Sequence, residues 1–166
     1  YRFQNWPKAE KFFRGIVRDP QSESSHVLQA RFGTALLYHH SMPKQRPDKA
    51  LPIYQELLSE LNRDHPLVPV LHLYIARAQV ILEEPDVPAA VGHIQTVIDS
   101  FPGTFESGEA ILDRARLMLR TPLRDSIDAA RDYLERHLTR RGDEAPLANV
   151  MHEFCAFLCM IQGDYR

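Results

Sequence analysis

Four alanines, Ala9, Ala50, Ala90 and Ala129, stand 41, 40 and 39 residues apart, and each opens the same local pattern. A large side chain follows four residues later and a further position recurs at seven: Phe13 and Ile16, Tyr54 and Leu57, Ile94 and Val97, Tyr133 and Arg136. Spacings of four and seven return to one face of an α-helix. A small residue there lets a paired helix come close, and the large one a turn later fills the space beside it. Recurrence near 40 residues is the mark of an array whose units bury their faces against one another.

The rest of the chain agrees. Apolar residues recur at spacings of three and four, and no segment alternates apolar and polar residues over a strand's length. Glycine is scarce at seven, and the twelve prolines fall between helical stretches. Eight helices are expected: Trp6 to Arg18, Ser25 to His40, Asp48 to Arg63, Pro66 to Glu84, Asp86 to Phe101, Phe105 to Arg120, Pro122 to Arg140 and Ala145 to Gln162. Asp48, Asp86 and Asp143 are candidate N-caps, because a short carboxylate accepts from the orphan N–H groups of a first turn. Thr121-Pro122 reads as a cap followed by proline at the first helical position. Pro52 and Pro69 fall near helix starts, where they delay or kink the first turn. Short loops between long helices require antiparallel neighbours.

The intervening helices carry a companion pattern, a small residue followed by an apolar one three later: Gly33 and Leu36, Ala78 and Ile81, Ala115 and Met118, Ala156 and Cys159. With Ala156, Cys159 and the turn Gly163-Asp164-Tyr165, and with Ala90, Ile94, Val97 and Pro102, the chain resembles the tetratricopeptide repeat family. The segment from Ile94 to Ala110 is also similar to bacterial envelope members such as outer-membrane assembly lipoproteins. The resemblance spans nearly the whole sequence and implies an all-α, right-handed α-solenoid of antiparallel helix hairpins. The family's unit is about 34 residues and this one is near 40. The family's first-helix Trp and Tyr are absent, and the Ser41 to Pro47 loop is longer than the motif. The units are a half at 1–24, then 25–65, 66–104, 105–144, and a half at 145–166, which reads as an interior piece of a longer array.

Composition narrows function. The net charge is −2 and 44% of the 166 residues are hydrophobic, so no basic excess marks a nucleic-acid or acidic-membrane surface. No run approaches the roughly 20 apolar residues of a membrane helix, and no signal peptide is visible in Tyr1 to Lys11. The compartment stays open between cytoplasm and, for an envelope protein, periplasm.

No nucleophile elbow, phosphate loop or dinucleotide fingerprint is present, so no catalytic residue and no cofactor are expected. His152-Glu153 begins like a zinc-protease motif, but Ala156 stands where the second histidine belongs. His152, Cys155 and Cys159 share a helix face and suit zinc, yet they fall on packing positions and read as core. The adjacent His39-His40 pair reads as a solvent-facing helix end whose charge suits the C-terminal dipole. The basic run Arg136-His-Leu-Thr-Arg-Arg141 reads as a solvated helix terminus rather than a phosphate contact.

A helical array with no chemistry of its own points to a protein-interaction scaffold holding a peptide or partner protein in a concave groove. The family's geometry implies that first-helix residues one and four positions past the small residue face that groove. These are Thr34, Leu37 and Tyr38; Gln79, Leu82 and Glu83; Arg116, Leu119 and Arg120; and Phe157, Met160 and Ile161. Thr34, Tyr38, Gln79, Glu83, Arg116, Arg120, Phe157 and Ile161 are the expected partner contacts, with Arg116 and Arg120 meeting carboxylates. Two alternatives remain: a helical segment supporting an active site elsewhere in a larger enzyme or regulator, or an array that self-associates through its apolar last helix.

Overall fold

The computed structural model describes residues 5–40, 45–120, 124–142 and 144–163. Among them are eight helices and no strand: α1 (Trp6–Arg18), α2 (Ser24–His40), α3 (Pro47–Glu60), α4 (Leu67–Val80), α5 (Val87–Ser100), α6 (Phe105–Met118), α7 (Arg124–Arg141) and α8 (Ala148–Gln162). The protein is all-α. It forms two compact units, Tyr1–Ala90 and Val91–Arg166, whose boundary falls within α5.

Helix ends follow local chemistry. The Asn5 side chain accepts from the Lys8 N–H at 3.2 Å, and Pro7 occupies the first turn of α1, where a missing N–H costs no helical bond. Asp86 caps α5, accepting from the Ala89 N–H at 3.0 Å. Thr104 caps α6 through the Ser107 N–H at 3.1 Å. Asp48 does not cap α3: Pro47 already occupies its first position, and the Asp48 carboxylate pairs instead with Arg46 at 2.8 Å. Pro52 lies inside α3 on its exposed side, and Pro69 is buried in the first turn of α4. The expected caps Thr121-Pro122 and Asp143, and Asp164-Tyr165 of the expected turn, lie outside the described residues. α4 stops at Val80, short of Glu84, with Ile81 as its C-cap donating its N–H to the Ala78 carbonyl at 3.2 Å.

In the first unit each helix packs against the next in sequence. Arg31, early in α2, reaches Glu56 and Glu60, late in α3, while the Lys49 ammonium lies 5.5 Å above the ring of Tyr38, late in α2. α2 and α3 are therefore antiparallel. Their core with α4 contains Ala35, Ala50, Tyr54, Leu57, Leu71 and Ile75, all fully buried. Burying each of the larger aliphatic side chains stabilises the fold by about 1.5–3 kcal/mol. α1 contributes no fully buried residue and lies at the edge. Its Phe13 ring lies against Gly33, where a Cβ would come within 2.7 Å of the ring.

In the second unit α7 packs against both α6 and α8. Arg141, at the end of α7, donates to Ser107 in the first turn of α6 at 3.2 Å. Arg131, early in α7, donates to Gln162 at the end of α8 at 2.9 Å. Both pairs are antiparallel. Gly108 is buried under the loop leading into α8: an added Cβ would stand 2.6 Å from the Pro146 carbonyl oxygen. In the same loop Leu147 adopts φ 61°, a left-handed conformation that costs a bulky residue energy.

Burial follows the expected register in α3 and α5 and departs from it in α7 and α8, while Ala9, Phe13 and Ile16 of α1 are only half-buried. Ala50, Tyr54 and Leu57, and Ala90, Ile94 and Val97, are buried as the sequence expects. In α7, however, Ala129 and Arg136 are exposed and Tyr133 is half-buried. Ala130 and Leu134 take the interior places, so the buried alanines at 50, 90 and 130 stand at equal spacing. A step of one residue turns a side chain about 100° around the helix, enough to exchange an inner position for an outer one. The same correction applies to α8, where Ala156 is exposed and Cys155 and Leu158 are buried. Ala78 and Ala115 are buried, but Ile81 is exposed at the C-cap of α4.

Candidate functional site

α1 meets the hairpin of α2 and α3 along one edge only, which leaves a groove of about 170 Å³ between the three helices. Arg14, Val17 and Arg18 line it from α1, Arg31 and Thr34 from α2, and Ile53 and Glu56 from α3. Arg14 and Arg18 are one helical turn apart, so both reach the same side. Val17 and Ile53 supply the apolar surface.

The charges are unevenly paired. Arg31 bridges Glu60 at 2.5 Å and Glu56 at 3.3 Å, and the hydrogen bond to Glu60 raises its pKa further. Arg14 pairs with Glu10 at 2.6 Å and donates to the Tyr38 hydroxyl at 3.5 Å. Arg18 makes no ion pair among the described residues and sits in the last turn of α1. Arg14 and Arg31 are thus engaged by the carboxylates of Glu10, Glu56 and Glu60, and Arg18 is the groove guanidinium left without one among the described residues. The Thr34 hydroxyl is committed to the Ala30 carbonyl at 2.8 Å, which leaves its methyl as the groove-facing group.

Of the eight expected contacts, Thr34 lines this groove. Tyr38 is half-buried at the other end of the α1–α2 seam, its hydroxyl donating to Glu10 at 2.7 Å. Gln79 is only 6% exposed and is an interior residue of α4. Glu83 is exposed in the turn after α4, because that helix ends three residues before it. Arg116 is exposed and pairs with Asp113 at 2.8 Å, and Arg120 is exposed just past the end of α6. Phe157 and Ile161 are about half exposed on α8 beside Met160. Arg14, Val17, Arg18, Ile53 and Glu56 lie on α1 and α3, outside the helices that the family's geometry turns toward a groove. The signal was the Arg14-x-x-Val17-Arg18 spacing.

The His39-His40 expectation is overturned for His39, while His40 is exposed at the end of α2. His39 is 4% exposed, packed with Tyr54 and Tyr74 at centroid distances of 6.0 and 5.6 Å. Burial, then His40 and Arg77, lowers its pKa to about 4, so it carries no charge for the helix dipole near neutral pH. The His39 Nδ1 and Tyr54 hydroxyl have no hydrogen-bond partner among the described residues. Cys155 is buried and its thiol is pushed up to about 11, chiefly by burial, which keeps it protonated. Cys159 is half-buried with Arg131 at 3.9 Å, and His152 is exposed. Among the described residues no three His, Cys, Asp or Glu side chains come together as a metal site, and no helix is long and apolar enough to cross a membrane.

No family model, curated protein or solved structure matches this chain.

Proposed function

We propose that the chain is a protein-interaction module of the helical-repeat kind, a right-handed α-solenoid of tetratricopeptide-like hairpins, whose α1–α2–α3 groove holds an acidic segment of a partner. The observation that carries this is the groove itself: Val17 and Ile53 form an apolar strip, and Arg18 beside it makes no ion pair among the described residues. An apolar strip flanked by guanidiniums suits a short helix or extended peptide with one apolar anchor and neighbouring Asp or Glu side chains. The repeat spacing supports the solenoid reading.

The test is fluorescence anisotropy with a labelled peptide library of fixed hydrophobicity and graded charge. Acidic peptides with an apolar anchor should bind, and Val17→Asp together with Arg18→Glu should abolish binding with an unchanged thermal midpoint. Equal binding of acidic and basic peptides, or an unaffected double variant, overturns the reading.

A second reading has one observation in its favour. Phe157, Met160 and Ile161 present a contiguous apolar face on α8, each about half exposed. Such a face favours self-association, which light scattering detects as a concentration-dependent mass that Phe157→Asp reduces to that of a monomer.

A further inference from the structure

The basic run at the end of α7 is more than a dipole complement. Tyr133, Arg136, His137 and Arg140 stand at spacings of three, four and seven, one stripe of the helix, and together with Thr139 they line a cleft of about 480 Å³. This stripe is distinct from the buried side of α7, which carries Ile127, Ala130, Leu134 and Leu138. We propose that this cleft is an anion site that takes a phosphate monoester, independently of the peptide groove in the first unit.

Three features support the assignment. The first is the concentration of positive charge. Arg114, Arg136 and Arg141 all act on Tyr133, and Arg141, Arg140 and Arg136 all act on His137. Asp99 is the acidic group that bears on Tyr133. The second is availability. Arg136 and Arg140 are exposed and make no ion pair among the described residues, although the Arg136 Nε donates to the Asp132 carbonyl at 3.1 Å. Arg141 is held by Ser107 and supplies field rather than a contact. The third is an enclosed wall: the Tyr133 side chain lines the cleft with its hydroxyl shielded from solvent.

The chemistry favours phosphate over carboxylate. A carboxylate offers two oxygens and one charge, whereas a phosphate monoester offers three acceptor oxygens and close to two charges near neutral pH. Two guanidiniums a turn apart and an imidazole between them provide donors for all three. Burial, aided by the arginines, lowers the His137 pKa, so the imidazole enters the site neutral with one N–H to donate. The negative end of the α7 dipole opposes an anion here. Charge-assisted bonds from the arginines outweigh it, because the dipole is a fractional charge and the guanidiniums are whole ones. The cleft exceeds a bare phosphoryl group, which leaves room for the organic group that bears it.

The experiment follows the His137 imidazole resonances by NMR while phenyl phosphate, inorganic phosphate or benzoate is added to the whole chain. Phenyl phosphate should give saturable shifts, with inorganic phosphate weaker and benzoate weaker by about tenfold or more. Arg136→Gln with Arg140→Gln, both exposed and expected to leave the circular dichroism spectrum unchanged, should lower phenyl phosphate affinity by at least about tenfold. Arg136→Lys with Arg140→Lys, which keeps the charge but loses the guanidinium fork, should weaken it severalfold, which separates a built site from a patch of surface charge. Unsaturated, parallel responses to all three anions overturn the proposal, as does a double lysine variant that binds like wild type.

Discussion

Two glycines show how a single residue's surroundings reverse the effect of one methyl group. Gly92 in α5 is exposed and a Cβ there meets nothing within 4 Å, so Gly92→Ala removes only backbone freedom from the unfolded chain. It should raise stability by about 0.5–1 kcal/mol. Gly108→Ala places its methyl 2.6 Å from a backbone oxygen that no side-chain rotation can move. It should cost about 1–3 kcal/mol, and urea melts of the two variants should move in opposite directions. His39 sets a pH dependence of definite sign. Its folded pKa lies near 4, below the ordinary histidine value, so the unfolded chain binds the proton more tightly. Its contribution is fully present above about pH 6.5 and is lost as pH falls toward 4, by up to about 3 kcal/mol in all. His40, His93 and His137, also lowered mainly by burial, act in the same direction. His39→Phe keeps an aromatic ring beside Tyr54 and Tyr74, and should flatten part of that acid limb in melts from pH 7 to 4. An unchanged limb would show that His39 is not buried in solution.

Among the helices, α7 gives the sharpest test of register. Ala130 has no exposed surface and Ala129 is open to solvent, although they are neighbours in sequence. Ala130→Glu buries a carboxylate against packed neighbours and should cost several kcal/mol, roughly 3–5, whereas Ala129→Glu should stay within about 0.5 kcal/mol. Ala90→Glu should resemble Ala130→Glu, since Ala90 is also fully buried. Equal melting points for the two α7 variants would return the interior face to Ala129. The sequence left this ambiguous because Ala129 and Ala130 are the same residue, and either one begins a pattern that continues into large side chains at 133 or 134. α4 shows the opposite case. Eight of its fourteen residues are buried, so nearly every face is apolar and no amphipathic stripe marks an inner side. The family's geometry assigns Gln79 to a groove from its place one residue past Ala78, while the packing encloses it.

For the whole molecule, the groove reading carries a salt dependence. If Arg14, Arg18 and Arg31 attract an acidic segment, affinity should fall as ionic strength shortens the range of surface charge from about 10 Å at 0.1 M salt to about 3 Å at 1 M. An acidic peptide whose affinity is indifferent to salt would point to the apolar strip alone. Arg31 should matter less than Arg18, because Glu60 and Glu56 already engage it. Arg18→Gln should therefore weaken binding more than Arg31→Gln does. The comparison is cleanest as a ratio of affinities at equal salt.

The sequence alone determined the eight helices, their order and their spacing near 40 residues. Helices write themselves locally, in the return of apolar residues every three or four positions and in the caps and prolines at their ends. α1, at Trp6–Arg18, is foreseen at both ends for that reason. Which face of α7 and α8 turned inward, whether His39 met water, and which residues made the groove were decided by the tertiary structure. Each depends on what lies opposite. Gly33 matters because Phe13 rests on it, Gly108 because the Pro146 carbonyl does, and Thr34 lines a groove only because α1 leaves one open. Contacts between residues distant in sequence leave no local period, and a rotation of one position, about 100° of helix, is enough to change a partner contact into core.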